Sequence, residues 1–302
     1  MSASGRVLAG VLAPHPPHLV YASNPPQNEP RSSRAGAWKP LLDGYARLRA
    51  SLADLEPDVV VVHTPHWKTR VGHHFLGIPR CEGYSVDPIF PNLFRFRFDL
   101  AVDVELAEAM HDEAAAAGLT TKMMRNPEFR LDYGTITSNY LVRPEQDLPV
   151  VAVSSSRVAF DYSDEAGDAE FAALGEATRR AVEATGRRAL CLASCSLSHR
   201  HFTVEPEDPE DPAFERPYDR NQTAWDRRLL GLVEAGRLAQ VRDELADFTE
   251  LTVSETRDGS LAWLLGVLGA EELPGKVHGY GTVIGTGNAV VEWRPEPQGV
   301  GA

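Results

Sequence analysis

The most regular hydrophobic pattern in the chain is a run of four valines at 59–62. Consecutive β-branched residues predict a short strand that is buried on both faces, as in the interior of a parallel sheet. The run leads directly into the polar sequence His63-Thr64-Pro65-His66-Trp67. In open α/β sheets, ligands bind beyond the carboxyl ends of the strands. His66 therefore either takes part in chemistry at such an end or caps the turn with a hydrogen bond to the backbone.

Strand and helix patterns alternate along the whole chain. Further strands are predicted at 6–12, 150–153 and 188–193, within 70–100 and, joined by glycine turns, over 277–293. Helical spacing of apolar residues predicts helices at 38–56, 102–117, 168–185, 221–234, 238–248 and 261–268. This alternation indicates an α/β fold with a central, mostly parallel or mixed sheet flanked by helices. Because no internal repeat divides the sequence, we expect residues 1–302 to form a single domain.

Two other predicted strands also end in histidines. The strand at 6–12 is followed by Ala13-Pro14-His15-Pro16-Pro17-His18, where prolines stop the strand. The strand at 188–193 is followed by a short turn and His199. Strand 6–12, helix 38–56 and the valine strand form a βαβ unit whose parallel strands end at the same edge. We therefore expect His15 and His66 to lie close together, with the functional site at the carboxyl ends of the strands.

Together with His199 and Glu255, these two histidines form a candidate reaction centre. Two imidazoles and one carboxylate on one face of a metal leave other positions open, which favours a non-haem Fe(II) that binds substrate and dioxygen. Zinc accepts the same donors and would support hydrolysis instead. Spacing alone does not select the third ligand, and Glu255 is also explained as an acidic residue near the start of a helix.

Composition and charge exclude several functions. The formal net charge is −13 with a pI of about 5.2, which disfavours a nucleic-acid partner. The acidic segment 205–212 is typical of a solvated surface loop. No run approaches the roughly 20 apolar residues that span a bilayer, so we expect no membrane partner. Three cysteines without a CxxC pair and without a signal segment predict a cytoplasmic protein with buried thiols.

Other catalytic motifs are missing from the sequence. There is no HExxH and no GxSxG sequence. Gly285-Thr286-Gly287 has no third glycine and predicts a hairpin turn rather than a dinucleotide-binding loop.

Several short segments, in their order and spacing, resemble the class III extradiol ring-cleavage dioxygenases over roughly residues 7–292. The segments that carry the resemblance are His15 with Pro17, His66-Trp67, Leu131-Asp132-Tyr133-Gly134-Thr135, Ala193-Ser194-Cys195-Ser196-Leu197-Ser198-His199-Arg200, and Glu255 nine residues before Leu264-Leu265-Gly266. The stretch 15–21 with Asn24-Pro25-Pro26-Gln27-Asn28-Glu29 is similar to the aminophenol-cleaving branch of this family.

The resemblance implies a metal and a reaction. His15, His66 and Glu255 would bind Fe(II), and His199 would act as the acid/base beside it. The implied activity is cleavage of the ring of a 2-aminophenol or a catechol-type aromatic, with incorporation of both atoms of O2. A neutral imidazole is suited to accept a phenolic proton and to return it later.

The resemblance also implies residues around the substrate. Tyr133 would be a catalytic group that forms a hydrogen bond near the substrate. His18 and His63 lie close in sequence to the implied ligands, and each is either a substrate-binding or a structural histidine. Thr64 stands where homoprotocatechuate-cleaving relatives have an acidic residue, which argues against a plain catechol-acid substrate.

Partners and alternatives follow from the same family. Its members imply a homo-oligomer or a hetero-oligomer with a related non-catalytic chain. One alternative function is a non-catalytic partner or signalling relative of the same fold, and another is a zinc hydrolase. The intact His15, His66 and Glu255 disfavour the first alternative.

Overall fold

A computed structural model of the chain describes residues 5–20, 38–69, 72–86, 95–155, 164–202 and 216–296. Segment 24–29, which contributes to the family resemblance, and the acidic segment 205–212 lie outside the described residues.

The described residues form strands and helices in the predicted alternation. The strands are β1 Arg6–Leu12, β2 Val59–Thr64, β3 His73–Leu76, β4 Arg80–Val86, β5 Arg95–Ala101, β6 Thr121–Met124, β7 Val150–Ser155, β8 Arg188–Ala193, β9 Lys276–Val283 and β10 Thr286–Trp293. The helices are α1 Lys39–Leu52, α2 Val104–Ala116, α3 Tyr133–Val142, α4 Asp164–Thr185, α5 Arg220–Glu234, α6 Leu238–Thr252 and α7 Ser260–Leu268. Short 3-10 turns lie at Pro17–Val20 and Glu255–Asp258. The predicted α/β class is confirmed.

The main sheet is mixed, with a parallel centre. Its strand order is β6-β3-β7-β2-β8-β1-β10-β9. Strands β7, β2, β8 and β1 run parallel, whereas β3 is antiparallel to β7 and β10 is antiparallel to both β1 and β9. Strand β8 therefore lies between β1 and β2, and the ends of all three strands meet at one edge. β4 and β5 form a separate antiparallel pair.

The valine strand shows why the centre of the sheet is buried on both faces. Val59 and Val61 belong to one hydrophobic cluster, and Val60 and Val62 belong to the other. Because side chains alternate along a strand, every valine of β2 packs into one of the two cores. The prediction of a fully buried strand is confirmed.

Helices α4 and α7 cover one face of the sheet and approach each other closely. A Cβ at Gly266 would lie 2.1 Å from the carbonyl oxygen of Ala172, and one at Gly175 would lie 2.0 Å from that of Trp263. These glycines bring the two helix backbones together. Helix α1 covers the other face through Leu41, Tyr45 and Leu48.

Two remaining sequence predictions concern turns and thiols. Strands β9 and β10 pair antiparallel across a tight turn at Ile284 and Gly285, which confirms a hairpin here, but Thr286 and Gly287 of the predicted turn belong to β10. Cys81, Cys191 and Cys195 are buried free thiols. Within the described ranges, every helix is too short or too polar to cross a membrane.

Candidate metal centre and active site

His15, His66 and Glu255 converge at the carboxyl edge of the sheet. His15 follows β1, His66 follows β2, and Glu255 begins the 3-10 turn between α6 and α7. The Nε2 atoms of the two histidines are 2.7 Å apart. Glu255 Oε1 lies 3.2 Å from Nε2 of His66 and 3.5 Å from Nε2 of His15. In the described part of the chain, this is the one group of three such side chains positioned to share a metal ion.

The separations between these donor atoms fit a first-row metal. Bonds from a divalent metal to imidazole nitrogen and carboxylate oxygen are about 2.0–2.2 Å, which places adjacent donors about 3 Å apart. The three ligand atoms all lie within 4.8 Å of one another. Two nitrogens and one oxygen also match the donor set that leaves coordination positions for other molecules.

The ring of His15 is held by a buried serine in the loop after β8. Ser194 Oγ lies 2.9 Å from His15 Nδ1 and 2.9 Å from the carbonyl oxygen of Gly134. The carbonyl can only accept, so the Ser194 hydroxyl donates to it and its lone pair accepts from His15 Nδ1–H. This arrangement favours the tautomer in which His15 Nε2 has a free lone pair at the centre.

His66 is positioned by a network that includes the start of α3. Its backbone N–H donates to Thr64 Oγ1 at 3.2 Å, and the Thr64 hydroxyl donates to Asp132 Oδ1 at 2.8 Å. Asp132 also caps α3 by accepting from the N–H of Thr135. A Cβ at Gly134 would lie 2.7 Å from Thr64 Oγ1, so only glycine lets α3 approach this closely.

Glu255 is buried and fixed through one of its two oxygens. The backbone N–H and the hydroxyl of Ser196 donate to Oε2 at 2.6 and 2.8 Å. Burial alone would raise the pKa of Glu255, but its attraction to His199 and His15 holds the pKa well below the usual range. The carboxylate is therefore ionised at neutral pH, and Oε1 faces the two histidines.

His199 reaches the same carboxylate from the end of β8. Its Nε2 lies 3.6 Å from Glu255 Oε1, and 38% of its side chain is exposed through the cavity. Burial of the rest of the ring lowers the pKa of His199 below its ordinary value, while Glu255 opposes that shift. A neutral imidazole at neutral pH is able to accept a proton.

A cavity of about 650 Å³, counting its open mouth, lies against these groups. Tyr133 and His18, both predicted from the sequence, line the cavity. The Tyr133 hydroxyl lies 2.9 Å from His66 Nε2, at the candidate metal centre.

His63, the other histidine considered for substrate binding, lies outside this cavity. Its side chain is fully buried, with Nδ1 2.9 Å from Ser260 Oγ and Nε2 3.2 Å from Ser155 Oγ. Its ring stacks on Trp263, with centroids 5.5 Å apart. This placement does not bring His63 to the cavity and favours the structural role over the substrate-binding role.

Sequence reasoning missed other residues of the site. The remaining lining residues come from the turns after β1 and β8 and from the β9–β10 hairpin: Pro16, Pro17, Ser196, His201, Val283, Ile284, Thr286 and Asn288. The serines that alternate after β8 could have indicated part of the site from the sequence. Ser194 forms a hydrogen bond with His15, and Ser196 forms one with Glu255. The hairpin residues have no comparable local signal, since their position depends on strand pairing.

Comparisons with known proteins show what the chain resembles. Residues 9–292 match the family model described as the catalytic LigB subunit of aromatic ring-opening dioxygenase. The chain is 51% identical over 291 residues to the beta subunit of 2-aminophenol 1,6-dioxygenase from a Pseudomonas species, covering 96% of this chain and 95% of that protein. It is 30% identical to the alpha subunit of 2-aminophenol 1,6-dioxygenase from a Pseudomonas species, covering 82% and 86%.

Two Escherichia coli proteins are more distant. The 3,4-dihydroxyphenylacetate 2,3-dioxygenase is 24% identical over 274 residues, covering 90% of this chain and 94% of that protein. The crystal structure of an uncharacterised K12 protein superposes with a TM-score of 0.59 at 13% identity, covering 94% of this chain and 99% of that one. The second likeness concerns the fold alone.

Proposed function

This chain belongs to the LigB family of class III extradiol ring-opening dioxygenases, and from that premise we propose that it is a catalytic Fe(II)-dependent dioxygenase that opens the ring of a 2-aminophenol. The observation that carries the proposal is the convergence of His15, His66 and Glu255, whose facing atoms are 2.7–3.5 Å apart. A family member that had lost catalysis would have no need of this complete donor set.

Fe(II) would be held by His15 Nε2, His66 Nε2 and Glu255 Oε1. When bound, it would supply adjacent coordination positions at which the aromatic substrate and O2 meet. Both oxygen atoms enter the ring-opened product, so the reaction balances without another reductant. The 51% identity to a 2-aminophenol 1,6-dioxygenase subunit supports an aminophenol over other aromatic substrates.

The protein side chains handle protons and orientation. His199 is the acid/base group, because its neutral ring faces the centre from a third strand end and is partly open to the cavity. It accepts the proton of the substrate hydroxyl and returns it when the ring opens. The Tyr133 hydroxyl lies 2.9 Å from His66 Nε2, where it would donate a hydrogen bond to the bound substrate, and His18 forms part of the cavity wall.

The proposal extends to assembly. The two Pseudomonas relatives are alpha and beta subunits of 2-aminophenol 1,6-dioxygenases, and the chain covers most of each. This supports a hetero-oligomer in which the chain pairs with a related chain, rather than a monomer. Pairing between β1 near the start of the chain and β10 near its end supports a single domain over 1–302.

The test is anaerobic reconstitution with Fe(II), followed by O2 uptake and detection of the ring-opened product from 2-aminophenol and catechol. The chain is assayed alone and with a co-expressed alpha-type relative, and Zn(II)-loaded protein is the control. We expect Fe(II)-dependent O2 consumption with 2-aminophenol. Stoichiometric iron without O2 consumption in either assembly would refute the proposal, and oxygen-independent hydrolysis by the zinc form would support a hydrolase instead.

A further inference from the structure

Asn288 is a polar residue of the cavity wall with an unusual environment. It lies in β10, is fully buried, and lines the same cavity as His15, His66 and Glu255. None of the hydrogen bonds described above for the metal ligands involves its side chain.

Backbone pairing places Asn288 next to the turn that carries His199. The N–H of Leu197 donates to the carbonyl oxygen of Gly287 at 2.8 Å, and the N–H of Gly287 donates to the carbonyl oxygen of Ser198 at 2.9 Å. The next residue of β10, Asn288, lies in the wall of the same cavity as His199.

The orientation of the Asn288 amide is determined by Thr286. Asn288 Nδ2 donates to the carbonyl oxygen and to Oγ1 of Thr286, both at 3.0 Å. A backbone carbonyl only accepts, so the amide nitrogen, not the oxygen, must face Thr286.

This orientation leaves Asn288 Oδ1 as a buried acceptor. Oδ1 has no hydrogen-bond partner within the described ranges of the chain. A buried acceptor without a donor is costly, and native proteins rarely leave one unless a ligand or water completes it. Oδ1 therefore lacks a donor among the described residues, and Asn288 forms part of the wall of the cavity in which a ligand would bind.

We propose that Asn288 is a specificity-determining residue whose Oδ1 accepts a hydrogen bond from the amino N–H of the aromatic substrate. This inference rests on the proposed function and deepens it. An aminophenol retains N–H donors when its nitrogen approaches a metal, whereas a phenolate oxygen at the same place only accepts. The amide oxygen thus selects for an amine and against a second phenolate.

The test compares binding of two ligands without turnover. Fe(II)-loaded protein is titrated anaerobically with 2-aminophenol and with catechol by calorimetry, and the ratio of the two Kd values is determined. Asn288→Leu and Asn288→Ala both remove the amide oxygen. Asn139→Leu is the matched control, because Asn139 is also a buried asparagine but lies in α3 and is not among the residues that line the cavity.

We expect both Asn288 variants to weaken 2-aminophenol binding relative to catechol by about 5- to 100-fold. This is the typical cost of leaving a buried donor, here the amino N–H of the substrate, without an acceptor. Asn139→Leu should leave the ratio unchanged. A variant that weakens both ligands equally, or neither, would overturn the inference, because Asn288 would then only support the hairpin or hold a water molecule. Absence of O2 uptake by wild-type protein with an intact binding preference would refute ring cleavage and still support the role of Asn288.

Discussion

Ser194 Oγ lies 2.9 Å from Nδ1 of His15, on the side of the ring opposite the candidate metal centre. Partners of this kind set the tautomer and direction of a ligating imidazole, and their loss typically lowers metal affinity by about 10- to 100-fold. Ser194→Ala should therefore weaken Fe(II) binding by that factor, measured by anaerobic competition with a chelator. Ser198→Ala is the control in the same loop, because the Ser198 hydroxyl donates to Asp226 instead. Equal affinity in both variants would contradict the role of Ser194.

Removal of a proposed ligand should have a larger effect than removal of its support. Glu255→Ala deletes the ionised carboxylate that faces both histidines, so Fe(II) affinity should fall by more than the roughly 100-fold expected for an outer partner. The metal content of purified, reconstituted protein measures this directly. Because the carboxylate lies at a turn, the apo-protein should still fold, as checked by circular dichroism. An iron-replete, active Glu255→Ala protein would refute its assignment as a ligand.

His199→Phe separates proton transfer from ligation. If His199 is the acid/base group, the variant should retain near-native iron and substrate binding while turnover falls by about 10²- to 10⁴-fold. Single-turnover rates and iron content are measured on the same sample. His201→Phe is the comparison, since the Nδ1 atom of His201 lies 3.0 Å from the Phe202 carbonyl oxygen, and it should cause a much smaller loss. If His199→Phe loses its iron, His199 is a ligand instead.

Stability of the apo-protein should decrease in mild acid because of His63. Burial lowers the pKa of His63 to about 3, so the folded protein keeps this ring neutral. In the unfolded chain the ring has its ordinary pKa of about 6.5, and the unfolded state gains the proton first. The contribution of the neutral His63 ring to the free energy of unfolding is therefore fully present above pH 6.5 and is lost as the pH falls towards 3. From pH 7 to 5 the loss should be about 2 kcal/mol.

Urea unfolding at pH 7 and pH 5 measures that loss. His63→Gln retains a polar side chain that does not titrate. The free energy of unfolding of this variant should be lower than that of the wild type at pH 7, but it should change less between pH 7 and pH 5. An equal pH dependence in both proteins would assign the acid sensitivity to other groups.

Several features of the site follow from short stretches of sequence. The valine run predicts β2 because β-branched residues favour an extended chain that packs on both faces. The prolines around His15 mark the end of β1 because proline cannot continue a central strand. The resulting expectation that His15 and His66 lie at one edge agrees with their 2.7 Å separation.

Other features were less predictable. Residues 133–142 form helix α3, which is not among the helices predicted from the spacing of apolar residues. Eight of its ten residues are buried, so the polar face that normally identifies a helix is weak. His63 and His66 are three residues apart, yet one supports the core and the other faces the cavity. His63 lies within β2 and packs on Trp263, whereas His66 lies beyond the end of the strand, and this difference in position decides their roles.

Local sequence alone determined the strand and helix alternation, the strand ends that carry histidines, and the buried thiols. These depend on periodicity and turn chemistry within a few neighbouring residues. Only the tertiary structure placed β8 between β1 and β2, Glu255 opposite the two histidines, and Asn288 in the wall of their cavity. Those positions depend on strand register and on packing between segments far apart in the chain, which no local pattern encodes.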